Sequence, residues 1–271
     1  MPDRALLKQE AKGILRGASV SPYLFTLVVL VISFVIGRVS DYVQWDTATR
    51  AAYEARLGID LSFLPFCHAP FPGAVTLFVA ILCSLLSVIL SAGVILYHLG
   101  IRRGEARPIE TLFDGFFFAG KVILLYIVMA IFITLWSMLL FFPGIIAAYR
   151  YSFAMLNLCE NPELGVMEAL NLSKQQTNGY KMQLFLLQLS FIGWSLLVLG
   201  IFLIYELLIA ALLPDSFLGI MFGSLLLSVL AAGVGVYLTP YLNLSICRFY
   251  LLATAPQVNE PPHFDSWNGN F

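Results

Sequence analysis

Residues 74–99 read AVTLFVAILCSLLSVILSAGVILYHL, twenty-six positions without an Asp, Glu, Lys or Arg. A hydrocarbon layer about 30 Å thick needs roughly 20 apolar residues of helix to cross it, so this run is long enough to span. Comparable runs lie at 23–43, 122–142, 182–213 and 217–252, with a shorter one at 145–158. Six crossings are expected, making an all-α polytopic transmembrane bundle in a single membrane domain over 1–255. The composition agrees: 60% of residues are hydrophobic and 11% charged, with mean hydropathy +0.88, against about 25% charged in an ordinary soluble domain.

The run 145–158 is the odd member. It contains Arg150 and follows Pro143-Gly144, a pair expected to end one helix and reverse the chain. A re-entrant or tilted segment is the competing description. At the start of the chain, Arg4, Lys8, Lys12 and Arg16 precede an apolar stretch, as in a signal peptide. No small-x-small cleavage site follows, and further hydrophobic segments do, so retention is expected.

Orientation follows from the basic residues, whose translocation is disfavoured. Six crossings with both termini cytoplasmic put Arg4, Lys8, Lys12, Arg16, Arg102, Arg103, Arg107, Lys121, Lys174 and Lys181 inside. Only Arg38, Arg50 and Arg56 are left outside. The cytoplasmic (cell) membrane is the expected location, with anionic headgroups on the inner face as the expected partner. Nothing resembles a nucleic-acid-binding tract.

Three inner-face segments share a short amphipathic pattern ahead of a spanning run: Leu7, Ala11, Ile14 and Leu15; Ile109, Leu112, Phe113 and Phe116; and Val166, Ala169, Leu170 and Ser173 after Asn161-Pro162. Interfacial helices are expected there, apolar side toward the bilayer. Short echoes, such as residues 132–137 against 191–195, leave an internal duplication as an even choice with chance. The outer loop carries Asp46, Arg50, Glu54 and Arg56 at helix-like spacing, ended by Pro65, Pro70 and Pro72, and is too small for a catalytic domain. The Pro-rich tail 256–271 is expected to be disordered.

The stretch Pro143 to Ser152, with Glu160-Asn161-Pro162 and Glu168 to Ser173, resembles a family of bacterial integral membrane proteins of unknown function. Leu7 to Lys12, Leu112 to Phe116 and Leu189 to Trp194 resemble it too, so the likeness covers about 5–20 and 105–250. It implies a multi-helix fold with interfacial helices, in the style of the membrane domains fused to some glycerophosphodiester phosphodiesterases. It implies no activity and carries no catalytic residue.

An ionisable side chain within a span costs about 2.5 to 3.5 kcal/mol on insertion scales, which singles out Arg150. Its expected partner is Glu206, in a polar site of the outer half, with Arg38 and Asp41 nearby. A packing ion pair is the plainer reading. Arg248 and His98 are expected as interface anchors. Ala80, Ser84, Ser87 and Ser91, and the pair Gly219 and Gly223, are expected at close helix contacts. Cys67, Cys83, Cys159 and Cys247 form no CxxC pair, and no histidine stands at ligand spacing, so no metal or cofactor is expected. The sequons at Asn171 and Asn243 fall where glycosylation is not expected. No catalytic motif is present. The favoured reading is a non-enzymatic, lipid-interacting or accessory membrane component. A small-solute transporter or exporter, with Arg150 and Glu206 lining the route, and a membrane-embedded lipid enzyme are the alternatives.

Overall fold

The computed structural model describes residues 4–17, 21–44, 54–55, 58, 71–212 and 217–254. Within them the side chains of 4–8, 16–17, 44, 141–142, 195, 198, 202, 206, 209–212 and 217–228 fall outside the description. The elements are α1 (Arg4–Gly17), α2 (Pro22–Gln44), α3 (Gly73–Arg102), a 3₁₀ helix (Ile109–Phe118), α4 (Ala119–Leu139), α5 (Phe141–Arg150), α6 (Ala154–Glu160), α7 (Val166–Gln176), α8 (Lys181–Leu212) and α9 (Phe217–Thr254). No strand occurs among the described residues.

Among the described residues, five helices are long and apolar enough to cross a membrane: Pro22–Val43, Gly73–Arg102, Ile109–Leu139, Lys181–Tyr205 and Val229–Thr254. The long helices carry Phe34, Phe78, Leu139 and Leu207 on their outward faces, all exposed. Side chains of this kind are stable outside only against hydrocarbon. The molecule is a helical membrane bundle. α9 packs against α1, α2, α3 and α8. The core falls into two clusters, one around Phe153, Leu158, Leu170 and Tyr250, the other around Phe25, Tyr97, Leu112 and Leu244.

The run 145–158 is not one helix. The chain reverses at Leu140, whose backbone is extended (φ −161°, ψ 147°), one residue before α5 begins. Pro143 therefore does not break a helix but sits in the first turn of α5, where a missing N–H costs nothing. At Gly144 an added Cβ would lie 2.1 Å from Ser137 Oγ and 2.9 Å from Ser137 Cα, so the glycine lets the returning helix press onto α4. From there α5 and α6 run back along α4. Tyr151 stacks on Phe132 at 6.0 Å, and Lys121, near the start of α4, donates to the Pro162 carbonyl.

Between α5 and α6 the helix is interrupted at Tyr151, Ser152 and Phe153. An interruption orphans backbone groups, which in a membrane protein must find partners inside the protein. Ser173, fully buried on α7, supplies both: its hydroxyl accepts from the Phe153 N–H (3.1 Å) and donates to the Arg150 carbonyl (2.9 Å). Thr177 Oγ1 lies 3.2 Å from the same carbonyl.

The three amphipathic segments fare differently. In α1, Ala11 and Leu15 are buried, packed with Phe25, Tyr97, Ile101 and Leu244; its apolar face is covered by protein. The second segment is a 3₁₀ helix, not an α-helix. At three residues per turn Leu112 and Gly115 share a face, and both are buried while Phe113 and Phe116 point outward. That face meets α3 backbone to backbone, since a Cβ on Gly93 would fall 1.9 Å from the Leu112 carbonyl oxygen and one on Gly115 2.5 Å from that of Ile89. The third segment buries Ala169, Leu170 and Ser173, and as in α1 that face is covered by protein and not turned toward the bilayer. Its helix starts after Gly165, Asn161 instead accepting from the Glu163 N–H in a preceding turn. Most of the outer loop and the tail 256–271 lie outside the described residues.

Candidate polar site at the basic end

α1, the C-terminal ends of α3, α6 and α9, and α7 meet at one end of the bundle. Two linked polar groups join them. The first centres on Glu10, the one acid on a helix that otherwise carries Arg4, Lys8, Lys12 and Arg16. Glu10 Oε2 accepts from Arg102 Nη2 at 2.8 Å, and Oε1 from Arg248 Nη2 at 3.3 Å. Arg248 Nε stands 2.7 Å from Oε2 but is poorly aligned for donation, so that contact is an ion pair. Two guanidinium groups on one carboxylate leave a net positive charge. The Arg102 side chain is 8% exposed, and a buried charge of this kind is tolerated only when paired. Partial burial pushes the Glu10 carboxyl up, but the Arg102 hydrogen bond and the charges of Arg248 and Arg102 outweigh it. The carboxyl is held below the ordinary glutamate range.

The second group starts at the neighbouring arginine. Arg103 pairs with Glu160 at the end of α6, and the other oxygen of Glu160 meets the Tyr250 hydroxyl of α9. That hydroxyl is also 2.8 Å from Asn157 Oδ1. Asn157 and Gln176 exchange amide hydrogen bonds, Nδ2 to Oε1 at 2.9 Å and Nε2 to Oδ1 at 3.0 Å. Asn157 Nδ2 also donates to the Ala169 carbonyl at 3.4 Å. An arginine, a carboxylate, a phenol and two amides thus tie α3, α6, α7 and α9 together.

The residues singled out from the sequence are dispersed. Arg150 ends α5, half-buried, beside α7. Its neighbour Tyr149 donates to Gln188 of α8 at 2.8 Å. Glu206 lies eighteen residues further along that helix, a rise of about 27 Å, so the backbone geometry does not bring it to Arg150; its side chain is not described. Arg38 and Asp41 pair with each other across one turn of α2 at 2.6 Å, both well exposed. Arg248 does sit at the basic end. His98 is 1% exposed, no surface anchor: its ring lies edge-on to Phe25 and Tyr97, with Nδ1 2.7 Å from the Val94 carbonyl. No cluster of metal-ligating residues occurs among the described residues.

The broken pair α5 and α6, the bridging Ser173, Asn157, Glu160 and Tyr250 all fall within one segment of the chain. Residues 138–256 match a family described as "Protein of unknown function (DUF975)". The DUF975 match covers less than half the chain and leaves out α1, α2 and α3, so Glu10, Arg102 and Arg103 lie beyond it. Comparison with curated proteins and with solved structures returns no match.

The sequence did hold a signal for Glu10, a single acid at the centre of a cationic helix. Asn157 offered none, lying inside the apolar run 145–158, and Glu160, two residues beyond that run, stood out only as part of the Glu160-Asn161-Pro162 likeness.

Proposed function

We propose that this chain is a non-enzymatic component of a cytoplasmic membrane whose basic end holds anionic lipid headgroups. The family likeness in style to the membrane domains of some glycerophosphodiester phosphodiesterases belongs to the same proposal, as a shared way of seating interfacial segments and not a shared activity. The observation that carries it is the coincidence, around one end of the bundle, of exposed apolar and cationic groups. Phe113, Phe116 and Phe117 project from the 3₁₀ helix, Phe117 at 89% exposure, and Met167 at the start of α7 and Met182 at the start of α8 are exposed as well. Lys12 is exposed above the Tyr241 ring, Lys174 lies over Tyr151, and Lys181 opens α8. Aromatic side chains at headgroup depth with lysines beside them suit an anionic interface, each cation contributing about 1 kcal/mol near such a surface.

The test is lipid retention. The protein is purified from nanodiscs of mixed phosphatidylcholine and phosphatidylglycerol, and bound lipids are counted by native mass spectrometry. Phosphatidylglycerol is expected to be enriched several-fold over its share of the disc, and the combined variant Lys12→Gln, Lys174→Gln, Lys181→Gln to lose the enrichment. Equal retention of the two lipids by the unaltered protein rejects the reading.

A further inference from the structure

The acids at the basic end are not shared evenly among its arginines. Arg103 has Glu160 and Arg107 has Glu105, one acid each. Arg102 and Arg248 have Glu10 between them. That carboxylate does not take up all that the two guanidinium groups offer. Arg248 Nε is closed off from solvent and stands 2.7 Å from Glu10 Oε2 without donating, while its Nη2 reaches Oε1 only at 3.3 Å. A carboxylate holds its oxygens in one plane and pairs flat with one guanidinium fork; here it serves two, from α3 and α9. Phosphate presents three oxygens arranged tetrahedrally, and arginine forks suit it. The charge count narrows the class. Without Glu10 the two arginines carry two positive charges. A phosphodiester replaces Glu10 like for like, whereas a phosphomonoester, at about −1.5 to −2 near neutral pH, cancels both.

α1 also has a second place to lie. Arg4, Lys8, Lys12 and Arg16 beside Leu7, Ala11, Ile14 and Leu15 are the pattern of a helix that rests on an anionic bilayer, and Glu10 is the residue such a surface repels. On leaving the bundle, Ala11 and Leu15 exchange one apolar setting for another. A ligand shifts a two-state element only by binding its states differently. Phosphate meets that condition, because it reaches the arginines only once the carboxylate has gone. We propose that Glu10 holds the place of a phosphomonoester, and that such a group, seated on Arg102 and Arg248, displaces it and frees α1 to the bilayer surface. This rests on the reading that the basic end meets anionic headgroups, and adds which headgroup it selects and what that headgroup moves.

Spin labels at Gly13→Cys of α1 and Gln175→Cys of α7, both at exposed positions, report the separation of α1 from the bundle by pulsed electron resonance. Cys159 and Cys247 are buried, and Cys67→Ala with Cys83→Ala removes the other thiols. In phosphatidylcholine nanodiscs one short separation is expected. Phosphatidic acid should add a longer one in most molecules, and phosphatidylglycerol at equal surface charge should release at most a third as many. Glu10→Gln should raise the phosphatidic acid retained, counted by native mass spectrometry, at least threefold. Glu105→Gln, which removes a neighbouring acid, should leave it unchanged. Dissolved glycerol phosphate separates the sources: release by it supports the same chemistry with a free ester as ligand, and release by the lipid alone assigns the site to a headgroup. An unchanged separation in phosphatidic acid overturns the proposal, as does equal release by phosphatidylglycerol, or a folded Glu10→Gln variant that retains no more phosphatidic acid. Should that variant fail to fold, the comparison of the two lipids decides alone. Enrichment of phosphatidylglycerol through Lys12, Lys174 and Lys181 with α1 unmoved leaves the headgroup reading standing and this one refuted.

Discussion

Exchange the Ser173 hydroxyl for hydrogen, and two buried backbone groups, the Arg150 carbonyl and the Phe153 amide, lose their shared partner together. An unsatisfied buried polar group costs about 1–3 kcal/mol, and nearby Thr177 can relieve only the carbonyl. Ser173→Ala is therefore expected to lower stability by about 1–3 kcal/mol, read as a shift in the thermal midpoint in detergent, and Ser173→Thr to restore part of it. A variant as stable as the parent would mean that the interruption is satisfied by other means. Glu10 makes a pH-dependent prediction. Its carboxyl is held low in the folded state, so the folded state binds this proton less readily than the unfolded chain, and ionised Glu10 stabilises the protein at neutral pH. That contribution is lost as pH falls through the ordinary glutamate range and then through the lower folded value. Glu10→Gln should lower the thermal midpoint at pH 7, and the gap between variant and parent should close on acidification. A gap constant with pH would show that Glu10 does not act through its charge, and no gap at any pH would leave α1 held by Ala11 and Leu15 alone.

At the scale of elements, the tightest approach at any described glycine is that of the 3₁₀ helix to α3. A Cβ on Gly93 meets a backbone carbonyl, which cannot rotate away as a side chain would. Forcing such contacts costs about 1–3 kcal/mol or more. Gly93→Val is expected to lift the 3₁₀ helix from α3, lower the thermal midpoint and open the 103–108 connection to trypsin at Arg103. Gly120→Val, with nothing within 4 Å of its Cβ position, serves as the neutral control. The same comparison shows what could be read beforehand. The five long spans follow from uninterrupted apolar runs, because length and hydropathy are properties of the residues themselves. Segment 109–118 has an apolar repeat that fits three residues per turn as well as 3.6, and only docking through Gly93 and Gly115 decides between them. The short helices α5 and α6 were unreadable for a similar reason: their break is set by Ser173, twenty residues after Phe153 in sequence, and no local window contains both. Likewise Arg150 drew notice by its charge, whereas it is its carbonyl that is bound.

For the molecule as a whole, the exposed belt of Phe34, Phe78, Leu139 and Leu207 predicts that the protein stays with the membrane fraction through alkaline carbonate washing. Release into the supernatant as a monodisperse species would contradict a bilayer environment outright. The two ends of the described chain are also joined, since Glu10 near the start reaches Arg248 near the finish. Their separation of 238 positions means that this pair forms only after α9 is in place. A similar delay governs the middle of the chain. Neither α5, with 10 residues, nor α6, with 7, has the apolar length for a translocation channel to release it sideways into lipid on its own. While the ribosome is still short of Ser173, the nascent Phe141–Glu160 stretch lacks the group that lets it lie interrupted among apolar helices. Its entry into the bilayer must then await α7. Glycosylation tags on chains truncated before and after Ser173 should find this stretch on different sides of the membrane.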